Sequence, residues 1–377
     1  MKKTAKAMAL IGVIALGSTA CASKPSDDNA SDNESTAPTT GGTSSAPATN
    51  NASNAKFKAC MVSDSGGFDD KSFNQTSYKG LTDAVAKLGI SKAQIESHTD
   101  SDYKDNVNAM ISQHCNIIVT VGFKLAKVTL KAAKSHPKID FAIVDNAYKP
   151  GEAPSNLKSL TFNTAQSSYL AGYLAAGMTK SGIVGTFGGL NIPTVTIYMD
   201  GFEEGVNAYK AKHDKSVKVV GWDEKSQDGL FTQDFEDKNK GQVTSENLVA
   251  QGADILFPVA GPAGLGALQT AKNSGGDVNA IWVDTDGCVS VPEYCSILMT
   301  SVFKGMDVAV EAAIEKSLKG NMTNEPYIGT LANGGTGLAD FHQFDSKVPS
   351  DLKSEVDKLK QQIIDGKITI KSKAQPK

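Results

Sequence analysis

The sequence predicts an α/β protein of the doubly wound kind, with parallel sheets shared between two lobes. Three observations carry this. From Phe57 onward, short, uniformly apolar runs alternate with segments of helical apolar periodicity, the pattern of parallel strands covered on both faces by crossover helices. The chain has 377 residues, 40% hydrophobic and 21% charged, a globular composition. The stretch from Phe57 to the C-terminus is also too long for one such sheet of ordinary size, so it is expected to divide.

The N-terminus reads as an address. Lys2, Lys3 and Lys6 precede an apolar run from Ala7 to Leu16, and then Gly17, Ser18, Thr19, Ala20 and Cys21. This is a secretory signal over 1–20, too short to span a membrane by itself. Ser18-Thr19-Ala20-Cys21 resembles a lipobox, with Ser18 where Leu is usual, and makes Cys21 the expected site of lipidation. Ser23 to Ala55 has no aromatic or large apolar residue and cannot offset its own ordering entropy. Residues 21–56 are therefore expected to be a lipid-anchored tether spanning roughly 30 Å by coil scaling. Loss of the three leader lysines would take the net charge from -3 to -6.

In the folded part, strands are expected at Lys58–Val62, Cys115–Val121, Ile139–Asp145, Gly182–Phe187, Val217–Trp222, Ala253–Val259, Ala280–Val283 and Ile297–Phe303. Helices are expected at Ser77–Leu88, Ser101–Gln113, Leu125–Ser135, Ser167–Met178, Thr194–Ala211, Lys240–Ala250, Gly264–Lys272, Val308–Lys319 and Leu352–Ile364. Ser72 with Gln75 three later reads as a capping box before the first helix. Asp69 and Asp70 would complement that helix's dipole. Trp222 and Trp282 read as core.

Ligands of open parallel sheets sit at the carboxyl ends of the strands. Those ends carry Asp64, Gly122, Asp145, Gly261, Asp284, Asp286 and Lys304. Carboxylates that accept from vicinal hydroxyls, and one ammonium that donates, suit a neutral polyhydroxylated ligand. No catalytic His or Cys stands among them.

Several classes are disfavoured. All 38 basic residues are lysine, so bidentate guanidinium grips on phosphate are absent. With a net charge of -3, no nucleic-acid footprint is expected. A mean hydropathy of -0.24 excludes a multi-span membrane protein. The five histidines are scattered, so no metal site and no cofactor are expected. Cys60 with Cys115, on neighbouring strands, and Cys288 with Cys295, closing a short loop, are candidate disulfides of an exported chain; four free thiols are the alternative.

Specific pieces resemble the basic membrane protein (Bmp) family, substrate-binding lipoproteins of ABC importers that take up nucleosides. They are Asp64-Ser-Gly-Gly-Phe-Asp-Asp-Lys-Ser-Phe-Asn-Gln75, Phe141-Ala-Ile-Val-Asp145, Gly201-Phe202-x-x-Gly205 and Phe235-x-Asp237-x-x-x-Gly241. In the same order follow Phe257-Pro-Val-Ala-Gly261-x-x-Gly264-x-Gly266, Val283-Asp284-x-Asp286, Ser301-Val-Phe-Lys304 and Gly337-Leu-Ala-Asp340-Phe341. The resemblance implies a type I periplasmic-binding-protein fold, two doubly wound lobes with three crossing segments. Over the solute-binding domain 57–377, lobe 1 is expected at about 57–163 plus 287–325, and lobe 2 at about 164–286 plus 326–377.

By the same resemblance, Phe73 and Phe235 would clamp a purine base, with Phe231 close to the second position. Asn74 and Asp145 would read the base, and Asp64, Gly261, Asp286 and Lys304 would hold the ribose. The Gly287 to Glu293 stretch departs from the family pattern. The implied protein is no enzyme but a monomeric binding protein, anchored on the outer face of the cytoplasmic membrane and serving an ABC permease and its ATPase subunits. A sugar or pentose receptor on the same fold is the alternative. A nucleoside hydrolase, suggested by Asp284-x-Asp286, and a surface adhesin are further ones.

Overall fold

The computed structural model describes residues 54–376; the leader, Cys21 and nearly all of the tether lie outside the described residues. In chain order the strands are β1 Lys58–Ser63, β2 Ser91–Ile95, β3 Ile117–Val121, β4 Asp140–Val144, β5 Leu157–Phe162, β6 Ile183–Gly188, β7 Lys218–Val220, β8 Trp222–Asp223, β9 Asp228–Gly229, β10 Ile255–Val259, β11 Asn279–Asp284, β12 Leu298–Lys304, β13 Tyr327–Gly329 and β14 Thr336–Leu338. The helices are α1 Phe73–Leu88, α2 Asp102–Ser112, α3 Ala126–Ser135, α4 Ala165–Met178, α5 Pro193–His213, α6 Lys238–Ala250, α7 Leu265–Asn273, α8 Gly287–Ser290, α9 Met306–Leu318 and α10 Ser350–Ile364.

Two six-stranded sheets result, ordered β13-β5-β4-β3-β1-β2 and β14-β12-β11-β10-β6-β7. All pairings within them are parallel except that of β14 with β12. Both sheets use the same order, so β1 and β6, β3 and β10, and β4 and β11 hold equivalent places. This is the flavodoxin-like doubly wound order, with a crevice where the winding reverses. The chain passes between lobes three times: from β5 to α4, from β12 to α9 and from β13 to β14. The fold is the type I periplasmic-binding-protein architecture.

The lobe boundaries differ from those expected. Residues 287–304 do not join the first lobe, because β12 pairs with β11 in the second sheet. Residues 326–329 do not join the second, because β13 pairs with β5 in the first. The last two crossings therefore fall at about 305 and between 329 and 336. A three-residue strand such as Tyr327–Gly329 leaves no periodicity to read.

Local chemistry explains other departures. Helix α1 starts at Phe73, before its expected start, because Asp70 caps it. The Asp70 carboxylate accepts from the backbone N–H groups of Ser72 (3.0 Å), Asn74 (2.8 Å) and Gln75 (3.0 Å). The Ser72 side chain makes no cap, so the expected capping box does not form. The helix ends at Gly89 in the left-handed conformation. Strands β2 and β5 escape the sequence pattern because Ser91-Lys-Ala-Gln-Ile95 lies at a sheet edge and Lys158 interrupts β5. That lysine is buried and donates to the Glu325 carbonyl.

Each sheet is covered on both faces. The first packs against α1 and α9 on one side and α2 and α3 on the other. The second packs against α4, α5 and α10 on one side and α6 and α7 on the other. The Gly201-Phe202-x-x-Gly205 motif serves this packing. A Cβ on Gly205 would lie 2.0 Å from the Tyr169 carbonyl oxygen, so the glycines let α5 close onto α4. Trp222 and Trp282 are core residues. Cys60 is disulfide-bonded to Cys115, and Cys288 to Cys295.

Candidate functional site

The carboxyl ends of both sheets face one cavity between the lobes. Asp64 follows β1, Gly122 follows β3 and Asp145 follows β4. The second lobe brings Gly261 after β10, Asp284 at the end of β11 and Lys304 at the end of β12. Phe73 and Asn74 enter from the first turn of α1, Tyr198 from α5, and Phe235 and Glu236 from the segment leading into α6.

A buried charge cluster spans the cleft. The Lys304 ammonium lies 2.6 Å from Asp145 Oδ2 and 3.5 Å from Asp284 Oδ1. Tyr198 donates its hydroxyl to Asp284 Oδ1 at 2.7 Å, and Ser72 donates to Asp284 Oδ2 at 2.8 Å. Burial pulls the Lys304 pKa down, but Asp145 and Asp284 outweigh it and hold the ammonium above its usual range. Burial raises Asp145, against the pull of Lys304. Lys304 also lies 5.1 Å from the Phe73 ring centre and 5.3 Å from that of Tyr198. Two carboxylates against one ammonium leave a site that favours hydroxyl donors over anions.

At the other end, Asn74 Nδ2 donates to Asp64 Oδ1 at 3.0 Å. Burial pushes the Asp64 carboxyl up to about 7, only partly opposed by that hydrogen bond. Asp64 can stand there because Gly122, just after the neighbouring strand β3, has φ 104; a Cβ at that position would lie 2.1 Å from Asp64 Oδ2.

The structure brings seven of the eight residues singled out from sequence to this cavity: Asp64, Phe73, Asn74, Asp145, Phe235, Gly261 and Lys304. Phe235, not Phe231, lines it; Phe231 packs edge-on against Trp222. Asp286 is the exception. Its carboxylate caps α8 by accepting from the Cys288 N–H at 3.0 Å, and its other oxygen lies 2.7 Å from His342 Nε2. Asp284, two residues earlier, takes the cleft position.

Asp284 was legible in principle. Phe141-Ala-Ile-Val-Asp145 and Ala280-Ile-Trp-Val-Asp284 share one register, and both aspartates have left-handed backbone, φ 60 and φ 69. Such geometry is costly away from glycine and gathers at functional sites. Nothing in the sequence placed Tyr198, or Ser72 with its capping-box reading, in the cleft, because only folding sets them against Asp284.

The structure also draws Asp286, Cys288 and His342 within 4.8 Å of one another. The Cys288 sulfur is held in its disulfide, which leaves only the Asp286–His342 pair to offer ligands. Among the described residues no helix is long and apolar enough to cross a membrane.

Known proteins agree with this architecture. A sequence model of the Bmp family, described as ABC transporter substrate-binding protein PnrA-like, matches residues 57–374. The chain is similar to the ABC transporter nucleoside-binding protein BmpA of Lactococcus lactis subsp. cremoris, at 31% identity over 339 residues, 84% of this chain and 90% of that protein. It is similar to basic membrane protein A1 of Borrelia garinii subsp. bavariensis, at 29% identity over 316 residues, 83% of this chain and 88% of that one. Its fold matches that of an ABC transporter solute-binding protein from Aeropyrum pernix, with a TM-score of 0.74 and 24% identity over 84% of this chain and 93% of that one. The chain belongs to the Bmp family of PnrA-like ABC transporter substrate-binding proteins.

Proposed function

We propose that the protein captures nucleosides, purine nucleosides foremost, in the inter-lobe cavity and delivers them to the permease of an ABC importer. The observation that carries this is the pairing, in one cavity, of an aromatic ring from each lobe with a buried carboxylate–ammonium cluster. Phe73 and Phe235 stack on the two faces of the base, each contributing about 1–3 kcal/mol by analogy with stacking in nucleic-acid binders. Asp145, Asp284 and Lys304 take the ribose hydroxyls, and the Gly261 backbone, at φ 52, permits close approach. Asn74 and Asp64 face the base edge. In this reading Asp145 moves from the base to the ribose, since its carboxylate pairs with Lys304 and not with Asn74. The nucleoside-binding name of the Lactococcus lactis relative supports the ligand class.

The reading includes no chemistry on the ligand; the carboxylate pair suggested by Asp284-x-Asp286 is split, since Asp286 is engaged with His342. It also includes a lipid anchor at Cys21 on the outer face of the cytoplasmic membrane, with 21–56 as the tether, and hinge closure of the lobes on binding. The test is calorimetric titration of the purified protein with adenosine, guanosine, inosine, cytidine, uridine, ribose and a set of sugars. Saturable binding of purine nucleosides, ribose far weaker, and no free base released, is expected. Heat from a sugar alone would establish the pentose or sugar receptor instead, and base release from inosine the hydrolase.

A further inference from the structure

On the surface of the second lobe, away from the cavity, Asp286, Cys288 and His342 each offer one ligand atom, all within 4.8 Å of one another. Asp286 is fixed by its cap. Its Oδ1 accepts from the Cys288 N–H at 3.0 Å, which turns Oδ2 to His342 Nε2 at 2.7 Å. His342 is exposed and holds left-handed backbone at φ 43, a costly conformation away from glycine. Cys288 is bonded to Cys295, seven residues on, with their Cα atoms 4.6 Å apart. Two cysteines, one histidine and one aspartate make a complete ligand set for tetrahedral zinc. What closes the set is the S–S bond, because the thiolate and not the disulfide is the metal ligand.

The segment that carries the sulfurs does not depend on the disulfide for its shape. Gly287 donates its N–H to Ser301 Oγ at 2.9 Å. The N–H groups of Ser290, Val291 and Tyr294 donate to the carbonyls of Asp286, Gly287 and Val291. Val291 and Ile297, on either side of Cys295, are buried in the core. Opening the S–S bond therefore leaves both thiols beside Asp286 and His342. The two disulfides also differ in access: Cys288 is partly exposed, whereas Cys60 and Cys115 are buried in the first lobe.

We propose that the Cys288–Cys295 disulfide is a redox lock on a zinc site: a dithiol reductant opens it, and Cys288, Cys295, Asp286 and His342 then bind one zinc ion. In the opening step the S–S bond takes up two electrons and two protons, and the dithiol is oxidised to its own disulfide. Zinc then displaces the two thiol protons, which leave to solvent, and takes the sulfurs as thiolates. The Asp286 Oδ1 cap stays in place and orients Oδ2, as outer-shell partners do for metal-binding carboxylates. Ligand atoms around a tetrahedral zinc stand about 3.3–3.8 Å apart, from bond lengths of about 2.0–2.3 Å. The cluster at 4.8 Å reaches that by a shift of about 1 Å, which the exposed His342 ring can supply. The Cys-x6-Cys spacing lies outside the usual zinc motifs, so only the fold shows the set.

The experiment reduces the purified protein with a dithiol, desalts it without oxygen and adds zinc or cobalt(II). An untreated sample and Cys288→Ala/Cys295→Ala, treated identically, run beside it, and circular dichroism checks that each is folded. Thiol titration first counts the opened cysteines. Expected is about one zinc retained per reduced chain through gel filtration, and a thiolate-to-cobalt charge-transfer band with cobalt. The melting temperature should stand several degrees above that of the reduced, metal-free chain. The oxidised chain and the double variant should retain no zinc. Asp286→Asn and His342→Ala should each weaken zinc at least about tenfold in competition with a chromophoric chelator, since losing a ligand exceeds the loss of an outer-shell partner. A pair that resists the dithiol, or a reduced chain that retains no zinc, overturns the proposal. So does retention that persists in the double variant, or that neither Asp286→Asn nor His342→Ala weakens.

Discussion

Lys304 and Asp145 meet at 2.6 Å across the cleft, although one ends a strand of the second lobe and the other follows a strand of the first. Both are buried, and Asp284 completes the cluster. The cluster therefore ties the two lobes together. In Lys304→Met two carboxylates lose their counter-charge, which costs about 3–5 kcal/mol for a buried pair. Nucleoside affinity should fall at least a hundredfold and the melting temperature should drop by several degrees. Calorimetry and thermal unfolding check this; wild-type values in both would show that the pair does not hold the lobes.

Phe73 and Phe235 come from opposite lobes and are only partly buried in the described state, so truncating either should cost binding more than folding. Phe73→Ala and Phe235→Ala should each lower purine-nucleoside affinity by about 1–3 kcal/mol, roughly five- to a hundredfold. Phe231→Ala should instead lower the melting temperature through its lost packing on Trp222, with affinity changed less. The same titrations, run beside circular-dichroism melts, separate the two behaviours.

Asp284 and Asp286 differ by two positions and by everything they touch. Asp284→Asn should reduce nucleoside affinity at least tenfold, since it bonds Ser72 and Tyr198 and faces Lys304. Asp286→Ala should leave affinity within about twofold. It should cost about 1 kcal/mol of stability through the lost cap on α8. A ligand response that tracks Asp286 would return the site to its sequence-based placement.

The two disulfides should contribute unequally. Cys60–Cys115 closes a sequence separation of 55 and Cys288–Cys295 one of only 7. Chain-entropy reasoning gives about 4 kcal/mol for the first and about 2 kcal/mol for the second. Double Cys→Ala variants of each pair, unfolded in denaturant, would measure the difference, and equal losses would contradict it.

Much of the fold was legible because buried parallel strands announce themselves. Runs such as Ile255–Val259 are apolar throughout, Ile117–Val121 is apolar but for Thr120, and amphipathic helices lie between such strands. What was missed is short or polar: β2 at an edge, β5 with its buried lysine, and β13, whose pairing moved a lobe boundary. Strand-end residues such as Asp64 and Asp145 could be found by position alone, because a parallel sheet delivers every carboxyl end to the same side.

By itself the sequence determined the doubly wound class and a strand-end set rich in carboxylates with one lysine and no arginine. These are local facts of pattern and composition. Folding alone determined which Asp faces the cleft, that Asp70 rather than Ser72 caps α1, and that the freed Ser72 hydroxyl reaches Asp284 from the other lobe. Those choices depend on distances between residues far apart in the chain: 212 positions for Ser72 and Asp284, and 159 for Lys304 and Asp145. A two-residue shift along a strand end is invisible to motif spacing, but it moves a carboxylate from the ligand cavity to a surface helix cap.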